Sequence, residues 1–302
     1  MIAVNNNLHQ TFSREQWATL NKLENRSLHA TELEKLKNIH QSISLAEVYA
    51  IYLPLASLIN NYCNSTKKKP FILSITGSVS AGKSTSSQIL QILLSSFPEP
   101  KNIALINTDG FLYPNATLEE KGIMNRKGFP ESYDTVRLIQ FLTEIKTGNS
   151  NVKAPLYSHE LYDVIPDHQI HIHPSPDILI LEGLHLLKPK TKNPKTKKWN
   201  TISDFLDFSI YIDAEEESLI DWFLVRFMSL RTAALQDPNS YFHIFSQKSE
   251  EECINMAKNT WHSINGKNLH EHILPTRQHA NLILHKNSKH SVNEVTLLMV
   301  ND

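Results

Sequence analysis

The sequence predicts an α/β fold, in which a doubly wound, mostly parallel sheet is flanked by helices and preceded by an N-terminal helical extension. Three apolar runs suit strands buried on both faces, at Phe71–Ile75, Ile103–Asn107 and Asp177–Glu182. Helical patterns lie between strand patterns, as in parallel sheets. With 302 residues and 40% hydrophobic content, one domain is expected over 1–302, with a helical segment at 1–66 and a core at 71–302.

The composition argues against several classes of protein. Thirty basic and 31 acidic residues leave a net charge of −1, so no global field favours nucleic acid or an anionic membrane as a partner. Cys63 and Cys253 are too few and too distant in sequence for a disulfide framework, and we expect buried thiols in a reducing cytosol. The sequence shows no targeting signal and no apolar run of about 18 residues, which predicts a soluble cytoplasmic protein.

Three helices are expected ahead of the first strand, because a capping box precedes each of three helical patterns. The boxes are Ser13-x-x-Gln16, Thr31-x-x-Glu34 and Ser44-x-x-Glu47. The third helix, from Leu45 to Ile59, is the most apolar, and Pro54 within it is expected to produce a kink.

The first strand leads through a glycine-containing turn into a new helix. Gly77-x-x-x-x-Gly82-Lys83-Ser84 fits the phosphate-binding P-loop pattern at every fixed position, within the strand and helix that the pattern requires. Its backbone N–H groups can turn toward phosphate oxygens, while Lys83 reaches the outer phosphates and Ser84 ligates Mg²⁺. The expected nucleotide-binding residues are Gly77, Ser78, Val79, Ser80, Ala81, Gly82, Lys83, Ser84 and Thr85.

Two carboxylates follow strands near this loop. Asp109 comes just after the strand Ile103–Asn107, and Glu182 ends the next apolar strand. Because α/β folds bind ligands at the carboxyl ends of their strands, we expect both acids at the same edge of the sheet.

The other elements are predicted from turn residues and periodicity. They are a long ordered loop from Leu112 to Tyr133, a helix from about Thr135 to Thr147, a polar loop with solvated His168, His171 and His173, a solvated lysine-rich excursion at 188–198, a strand at Phe208–Asp213, a helix from Ser218, a helix from Glu250 to about Ile264, a turn at Asn265–Gly266 and a final strand from Ala280 to Leu284.

One arginine interrupts an apolar helix face. In the helix from Ser218, Arg226 falls on the same stripe as Leu219, Trp222, Phe223 and Leu230. A guanidinium on a packed face needs an anionic partner, and phosphate is the expected one.

A P-loop with two strand-end carboxylates serves either nucleotide hydrolysis that drives motion or phosphoryl transfer to a small molecule. The guanine-specifying Asn-Lys-x-Asp motif is absent, and the loop-rich region after Asp109 favours a small-molecule kinase. In such a kinase, Lys83 and Arg226 balance phosphoryl charge, while Ser84 and Glu182 hold Mg²⁺ and its water shell. Asp109 aligns the acceptor hydroxyl and takes its proton late.

Several longer motifs, in this order, resemble the bacterial type I pantothenate kinases. They are Gly77–Thr85, Thr108–Asn115, Lys127–Asp134, Tyr157–His159, Tyr162–Asp167, Ile178–Gly183, Asp237–His243 and Asn268–Arg277. The resemblance extends from Phe12 to about Val295. It implies a homodimeric P-loop kinase that phosphorylates pantothenate with ATP, in the first step of coenzyme A biosynthesis, and that coenzyme A inhibits at the ATP phosphate site.

The resemblance also implies roles for individual residues. Catalytic types are kept at Lys83, Ser84, Asp109, Glu182 and Arg226. The implied pantothenate pocket comprises Tyr157, His159, Tyr162, Phe223, Phe227, Phe242, Phe245, Ile264 and Asn265. The implied coenzyme A contacts are His159, His290, Gln88 and His40.

Some positions depart from the family pattern. Phe223 and Phe245 stand where the family has tyrosines, Leu230 replaces an aromatic residue, and Gly266 replaces a tryptophan. A lost substrate hydrogen bond costs about 1–3 kcal/mol, so we expect a raised pantothenate KM or broader tolerance of analogues. Gln88 replaces an arginine and His40-Gln-Ser42 an Asn-x-Asp pair, so weakened inhibition by coenzyme A is expected.

Two other functions fit parts of the sequence. A related P-loop kinase acting on uridine or a phosphorylated sugar would share the P-loop and the strand-end aspartate. A non-catalytic nucleotide-binding paralogue would fit the pocket substitutions, but the complete set of catalytic residue types disfavours it.

Overall fold

The structure is a computed structural model that describes residues 8–20, 28, 30–39, 44–66, 70–97, 99, 101–149, 151–172, 174–188 and 201–299. Its strands are β1 (Leu8–Ser13), β2 (Phe71–Gly77), β3 (Ile103–Asn107), β4 (Val152–Ser158), β5 (Asp163–Ile172), β6 (Ile178–Glu182), β7 (Phe208–Ala214), β8 (Leu282–Lys286) and β9 (Val292–Met299). Its helices are α1 (Arg14–Thr19), α2 (Ala30–Ile39), α3 (Leu45–Glu47), α4 (Leu53–Thr66), α5 (Lys83–Ser95), α6 (Asn115–Glu120), α7 (Thr135–Lys146), α8 (Glu216–Ala234), α9 (Glu250–Thr260) and α10 (Gly266–Asn268).

Seven strands form one sheet in the order β1-β9-β8-β7-β2-β6-β3. The five strands from β8 to β3 pair in parallel, while β9 and β1 add antiparallel pairs at one edge. The predicted α/β fold with a mostly parallel sheet is therefore confirmed. All residues of β2 and β6 are buried, as expected for strands covered on both faces.

The N-terminal segment is tied to the sheet and to the helix that follows the P-loop. Strand β1, which the sequence pattern did not reveal, pairs with β9, and α2 and α4 pack against α5. The Tyr52 and Ser86 hydroxyl oxygens lie 2.8 Å apart, and Trp17 Nε1 donates to Ile51 O at 3.1 Å. The N-terminal region therefore supports the P-loop helix rather than standing apart from the core.

The structure confirms one complete capping box of the three predicted. Ser13 and Gln16 bond reciprocally at the start of α1. Ser44 accepts a hydrogen bond from Glu47 N, but the Glu47 carboxylate accepts from Val292 N at 3.0 Å, because β9 lies against this helix end. Thr31 is not a cap, since it lies inside α2.

The third predicted helix is longer than expected and changes its winding. It begins with α3, passes through a π-helical turn at Val48–Tyr52 and continues as α4 past Pro54. In that turn Leu53 N donates to Val48 O. The wider turn comes immediately before the proline, which cannot donate a backbone hydrogen bond.

Two predicted loops contain regular structure. The segment from Leu112 to Tyr133 includes α6 and two short 3-10 turns. The segment predicted as a polar loop forms the hairpin β4–β5, with His168 and His171 on β5. Because the described side chains from Pro166 to His171 are exposed, no alternation of apolar and polar residues marks this strand in the sequence. His173, His40, Ser42 and residues 189–198 lie outside the described residues.

The predicted turn at Asn265–Gly266 is wrong. Helix α9 continues through a π-helical turn at Trp261–Asn265 into α10, and Gly266 has helical angles of φ −64° and ψ −43°. A Cβ on Gly266 would lie 3.1 Å from Trp261 Nε1 and 3.2 Å from Glu216 Oε1. The glycine therefore serves close packing and does not end the helix.

The strand predicted from Ala280 to Leu284 is not the last strand that the structure describes. That strand is β8, and β9 follows it as an antiparallel neighbour, because a short turn reverses the chain between them. Strand β8 is therefore hydrogen-bonded to a neighbouring strand on each side, β9 on one and β7 on the other.

Candidate active site

The P-loop connects β2 to α5 and has the expected glycines at its ends. Gly77 has φ +144° and Gly82 has φ +92°, both in the region that favours glycine. A Cβ at Gly77 would collide with Ile212 O, and one at Gly82 would collide with Lys286 Nζ. Conformation therefore requires glycine at both positions, and at Gly77 the backbone of Ile212 also leaves no space for a side chain.

Two hydroxyl groups of this loop are well suited to an anionic ligand. The Oγ atoms of Ser78 and Ser80 are buried and have no hydrogen-bond partner among the residues that the structure describes. Ser80 also has φ +62°, which is unusual for a residue with a side chain. A phosphate group accepts hydrogen bonds from such hydroxyls and from loop N–H groups, so the residues present fit a nucleotide phosphate.

Lys83 begins α5 and folds back over the loop. Its Nζ donates to Ser78 O at 2.7 Å. Burial lowers the pKa of Lys83, whereas the carboxylates of Glu182 and Asp109 act to raise it. A partly desolvated ammonium beside two acids is a strong attractor for phosphate.

Ser84 and Glu182 are brought together by adjacent parallel strands. Strand β6 pairs with β2 so that Glu182 lies opposite Ile75. Ser84 Oγ then donates to Glu182 Oε1 at 2.7 Å. Burial raises the pKa of Glu182, and Lys83 and the Ser84 hydrogen bond oppose that rise. A hydroxyl and a carboxylate are oxygen donors of the kind Mg²⁺ prefers, so these residues fit that ion.

Asp109 lies one strand further along the same edge. Asn107 of β3 is paired with Glu182 of β6, and the 3-10 turn Thr108–Phe111 follows. Asn107 Oδ1 accepts from Asp109 N at 2.8 Å, and Tyr133 OH donates to Asp109 Oδ1 at 3.2 Å. The structure therefore brings both predicted carboxylates to the edge beside the P-loop.

An aromatic cluster adjoins this edge. The tip of the β4–β5 hairpin carries Tyr157, His159 and Tyr162, with the rings of Tyr157 and Tyr162 6.4 Å apart. Phe242 reaches Tyr162 at 6.3 Å and Phe227 at 5.9 Å. Phe245 packs against Phe227 at 5.1 Å. Five of the residues predicted for the pocket thus form one continuous surface of rings.

The other predicted pocket residues lie beside this surface. Phe223 is 6.4 Å from Phe227 and 5.7 Å from Trp261, between ring centroids. Ile264 and Asn265 are half-buried on the π-helical turn Trp261–Asn265. His159 is exposed at the hairpin tip, where partial desolvation and the charge of Arg226 lower its pKa.

Arg226 is not packed within an apolar face as the sequence predicted. Its side chain is exposed on α8. Its charge still influences Lys83, Glu182 and His159. The guanidinium therefore lies close to the P-loop but reaches it from the solvent side.

Two of the predicted regulatory residues, Gln88 and His290, lie at the P-loop helix and the β8–β9 turn. The His290 ring is 3.9 Å from the Trp222 ring, and His290 Nε2 lies 3.3 Å from Ser80 O. Gln88 is exposed on α5. His40 lies outside the described residues.

Sequence reasoning missed two buried lysines at this edge. Burial lowers the pKa of Lys127 to about 8 and that of Lys286 to about 8, in each case against nearby carboxylates. Lys127 Nζ donates to Asn115 Oδ1 at 2.6 Å and lies 3.9 Å from the centroid of the Tyr162 ring. The only sequence signal for Lys286 is its position immediately after the apolar run of β8.

Tyr241 was also missed as a member of the aromatic surface. Its ring stacks on Tyr162 at 4.6 Å with an interplanar angle of 25°. Because Tyr241 lies about 80 residues from Tyr162, no local pattern could link them.

A family model and many relatives match this sequence. The model of the phosphoribulokinase/uridine kinase family matches residues 72–268. A pantothenate kinase of Photorhabdus laumondii is 46% identical, with 95% of both chains covered. A pantothenate kinase of Pasteurella multocida is 48% identical, covering 95% of this chain and 94% of the relative. One of Escherichia coli is 46% identical, with 95% of both chains covered.

Solved structures with low sequence identity share the fold. A protein named as a fructose transport system kinase, from Silicibacter sp. TM1040, matches with a TM-score of 0.57 at 21% identity, over 74% of this chain and 96% of that chain. The YGR205w protein matches with a TM-score of 0.57 at 17% identity, over 82% of this chain and 96% of that chain.

Proposed function

The chain belongs to the phosphoribulokinase/uridine kinase family and to the pantothenate kinases, and so is an ATP-dependent kinase; from this premise we propose that it phosphorylates pantothenate to 4′-phosphopantothenate, the first step of coenzyme A biosynthesis. The observation that carries the proposal is the joint placement of the P-loop, Asp109 and the aromatic surface at one edge of the sheet. The sequence similarity to pantothenate kinases, at 46% identity over 95% of the chain, supports the same substrate.

The P-loop residues Gly77 to Thr85 bind the ATP phosphates. Backbone N–H groups and the buried hydroxyls of Ser78 and Ser80, which have no partner among the described residues, donate to phosphate oxygens. On binding, Lys83 Nζ leaves Ser78 O for the outer phosphates, since a phosphate anion is a stronger acceptor than a neutral carbonyl. Arg226 adds positive charge from the exposed side, where the transferred group becomes accessible.

Ser84 and Glu182 would hold Mg²⁺. When bound, this ion neutralises phosphate charge and orients the terminal group for transfer. The Ser84 hydroxyl and the Glu182 carboxylate are the oxygen donors that this ion would find beside the P-loop.

Asp109 aligns the acceptor. Its carboxylate accepts the hydrogen bond of the pantothenate hydroxyl, directs the oxygen at the terminal phosphate, and takes the proton late in the transfer. Tyr133 fixes the orientation of that carboxylate. Because the transition state is loose, alignment contributes more than basicity.

Pantothenate lies along the aromatic surface, in contact with Tyr157, His159, Tyr162, Phe223, Phe227, Phe242, Phe245, Ile264 and Asn265. The positive charge of Lys127 near the hairpin tip suits an acceptor that carries a carboxylate. Since Phe223 and Phe245 lack hydroxyls, analogues with altered tails should be tolerated, which kcat/KM measured across pantothenate and its amides would test.

The function is tested by ADP release in the presence of different acceptors. We expect ATP-dependent ADP release with pantothenate and little with uridine or a phosphorylated sugar. Stimulation by uridine or the sugar in place of pantothenate would identify a related kinase. ATP binding without acceptor-stimulated turnover would identify a non-catalytic paralogue.

Asp109→Asn should lower kcat by about 100-fold or more, while KM for ATP stays within about threefold, because the neutral amide aligns the acceptor hydroxyl less strongly than the carboxylate and cannot take its proton. The matched control is Asp134→Asn, since Asp134 caps α7 and asparagine caps equally well. A turnover number for Asp109→Asn within about threefold of the parent would contradict the role of Asp109.

The proposed assembly and regulation of the enzyme rest on the family resemblance. We propose a single kinase domain over 1–302 that acts as a cytoplasmic homodimer and that coenzyme A inhibits weakly through His159, His290, Gln88 and His40. No described helix combines the length and apolarity needed to cross a bilayer. A dimer would have a mass of twice 34.5 kDa in light scattering, which a monomeric value would contradict.

A further inference from the structure

One backbone carbonyl, that of Gly128, joins three segments that carry site residues. His185 Nε2 lies 2.7 Å from Gly128 O, and Asn268 Nδ2 donates to the same oxygen at 2.7 Å. His185 follows β6, three residues beyond Glu182, and Asn268 lies in α10, three residues beyond Asn265. We refer to Gly128 O, His185 and Asn268 as the carbonyl clamp.

Both side chains of the clamp act as donors near neutral pH. Burial lowers the pKa of His185 to about 4, so the imidazole is neutral. A carbonyl oxygen can only accept, and Nε2 of His185 must therefore carry the proton. Asn268 is 3% exposed, and water does not compete readily for its amide.

The clamp lies at a backbone conformation that needs to be held. Gly128 has φ +91°, and no atom of the described residues lies within 4 Å of a Cβ built there, so conformation rather than space requires glycine. The next residue, Phe129, is fully buried against the Arg126 guanidinium, which lies 3.4 Å from its ring centroid. The clamp and Phe129 together fix this turn in the loop that returns to Asp109.

The residue before the clamp reaches into the aromatic surface. Lys127 is 7% exposed, and its Nζ donates both to Asn115 Oδ1 and to Tyr162 O. Tyr162 has φ +52°, a strained conformation for an aromatic residue, and its ring stacks on Tyr241. Lys127 thus holds the carbonyl of the residue whose ring covers the acceptor position.

We propose that His185 and Asn268 are positioning residues for the acceptor: through Gly128 they fix Lys127, and through Lys127 they fix Tyr162 over the bound substrate. Neither residue touches the P-loop in the described contacts, so the clamp acts on acceptor binding and not on ATP. The proposal rests on the pantothenate kinase function stated above.

The test compares variants that remove or keep one donor. His185→Leu and Asn268→Leu each leave a buried carbonyl short of one partner, and each should raise KM for pantothenate about tenfold. KM for ATP and ATP hydrolysis without acceptor should stay within about twofold, and kcat within about threefold. His185→Gln keeps a side-chain N–H and should return KM for pantothenate to within about threefold of the parent.

The matched control is Asn281→Leu. Asn281 Oδ1 accepts from Ser209 N at 2.9 Å and from Ser209 Oγ at 2.8 Å, at the amino ends of β7 and β8 and thus at the opposite edge of the sheet. This change should lower the melting temperature without raising KM for pantothenate. Equal rises in KM for pantothenate in Asn281→Leu and the clamp variants, or no rise in folded clamp variants, would overturn the proposal.

A second measurement tests the carbonyl clamp independently of the proposed substrate. Hydrogen exchange at residues 126–133 should accelerate in Asn268→Leu, but not in Asn281→Leu, whichever acceptor the enzyme uses. Because it uses Asn268→Leu, this measurement still tests the clamp if His185→Leu does not fold. Unchanged exchange in Asn268→Leu would overturn the clamp, whereas a parent enzyme inactive on pantothenate would overturn the function alone.

Discussion

At the residue scale, the site depends on charges held where water is scarce. Lys83, Lys127 and Lys286 all have their pKa lowered by burial, and carboxylates face each of them. A desolvated ammonium is a stronger partner for phosphate or carboxylate than a solvated one, because water no longer screens it. The three lysines therefore concentrate positive charge at this edge of the sheet, although the net charge of the chain is −1.

The pH dependence of acceptor use should reveal Lys127. Its pKa of about 8 means that it is charged below pH 8 and neutral above it, so kcat/KM for pantothenate should fall as pH rises through about 8. The charged groups around it are Asp109 and Asp163, while His159, with a lowered pKa, is neutral in this range. Rate measurements at saturating ATP between pH 6 and 9.5 would show this alkaline limb.

Lys127→Met should remove the alkaline limb near pH 8 and raise KM for pantothenate at pH 7. Lys286→Met is the matched control, because Lys286 also has a pKa of about 8 but lies beside the P-loop. We expect Lys286→Met to change the pH dependence of kcat/KM for ATP instead. If kcat/KM for pantothenate still fell near pH 8 in Lys127→Met, the titration would belong to another group.

At the element scale, the helix that contains Gly266 is bonded to the start of α8. The turn Trp261–Asn265 is π-helical, and the helix around it continues through Gly266. Trp261 Nε1 donates to Glu216 Oε1 at 3.0 Å, and His270 Nε2 lies 2.8 Å from Glu216 Oε2. The start of α8, which carries Phe223, Arg226 and Phe227 further along, is thereby fixed to this helix.

Gly266→Ala should lower the free energy of unfolding by about 1 kcal/mol, although alanine favours helices. The added methyl would lie 3.1 Å from Nε1 of the fully buried Trp261, which has little room to move. Chemical denaturation measures the change. Ser263→Ala, on an exposed part of the same turn, is the control and should stay within about 0.5 kcal/mol of the parent. A stabilised Gly266→Ala variant would show that helix propensity outweighs the crowding.

At the scale of the whole molecule, the carboxyl edge of the sheet gathers residues from distant parts of the chain. The P-loop, the hairpin tip, α8 and the β8–β9 turn with His290 all reach this edge. A ligand as long as coenzyme A would have to contact several of these elements at once. Its affinity therefore reports on how they are arranged together.

Inhibition by coenzyme A should be weak in the parent and stronger in Gln88→Arg. The new guanidinium, on the exposed side of α5, adds a charge-assisted contact that should lower the inhibition constant by tenfold or more, equivalent to about 1.5–3 kcal/mol. Gln140→Arg, which adds the same charge on α7, should leave it unchanged. Strong inhibition of the parent at low micromolar coenzyme A, competitive with ATP, would contradict the prediction.

The sequence by itself determined the features that depend on neighbours along the chain. The P-loop, the buried central strands and the positions of Asp109 and Glu182 at strand ends follow from local spacing and periodicity, and the sheet confirms those positions. The roles of these residues remain predictions. The aromatic residues of the pocket came from the family resemblance, and the structure places five of them together.

Only the tertiary structure decided the contacts between segments far apart in sequence. The exposure of Arg226, the burial of Lys127, the stacking of Tyr241 and the two donors to Gly128 O depend on which surfaces meet after folding. Gly266 gives the physical reason: locally, glycine indicates a turn, but the close approach of Trp261 and Glu216 makes it the residue that fits a helix there. Local preferences amount to about 1 kcal/mol per residue, and packing of distant segments outweighs them.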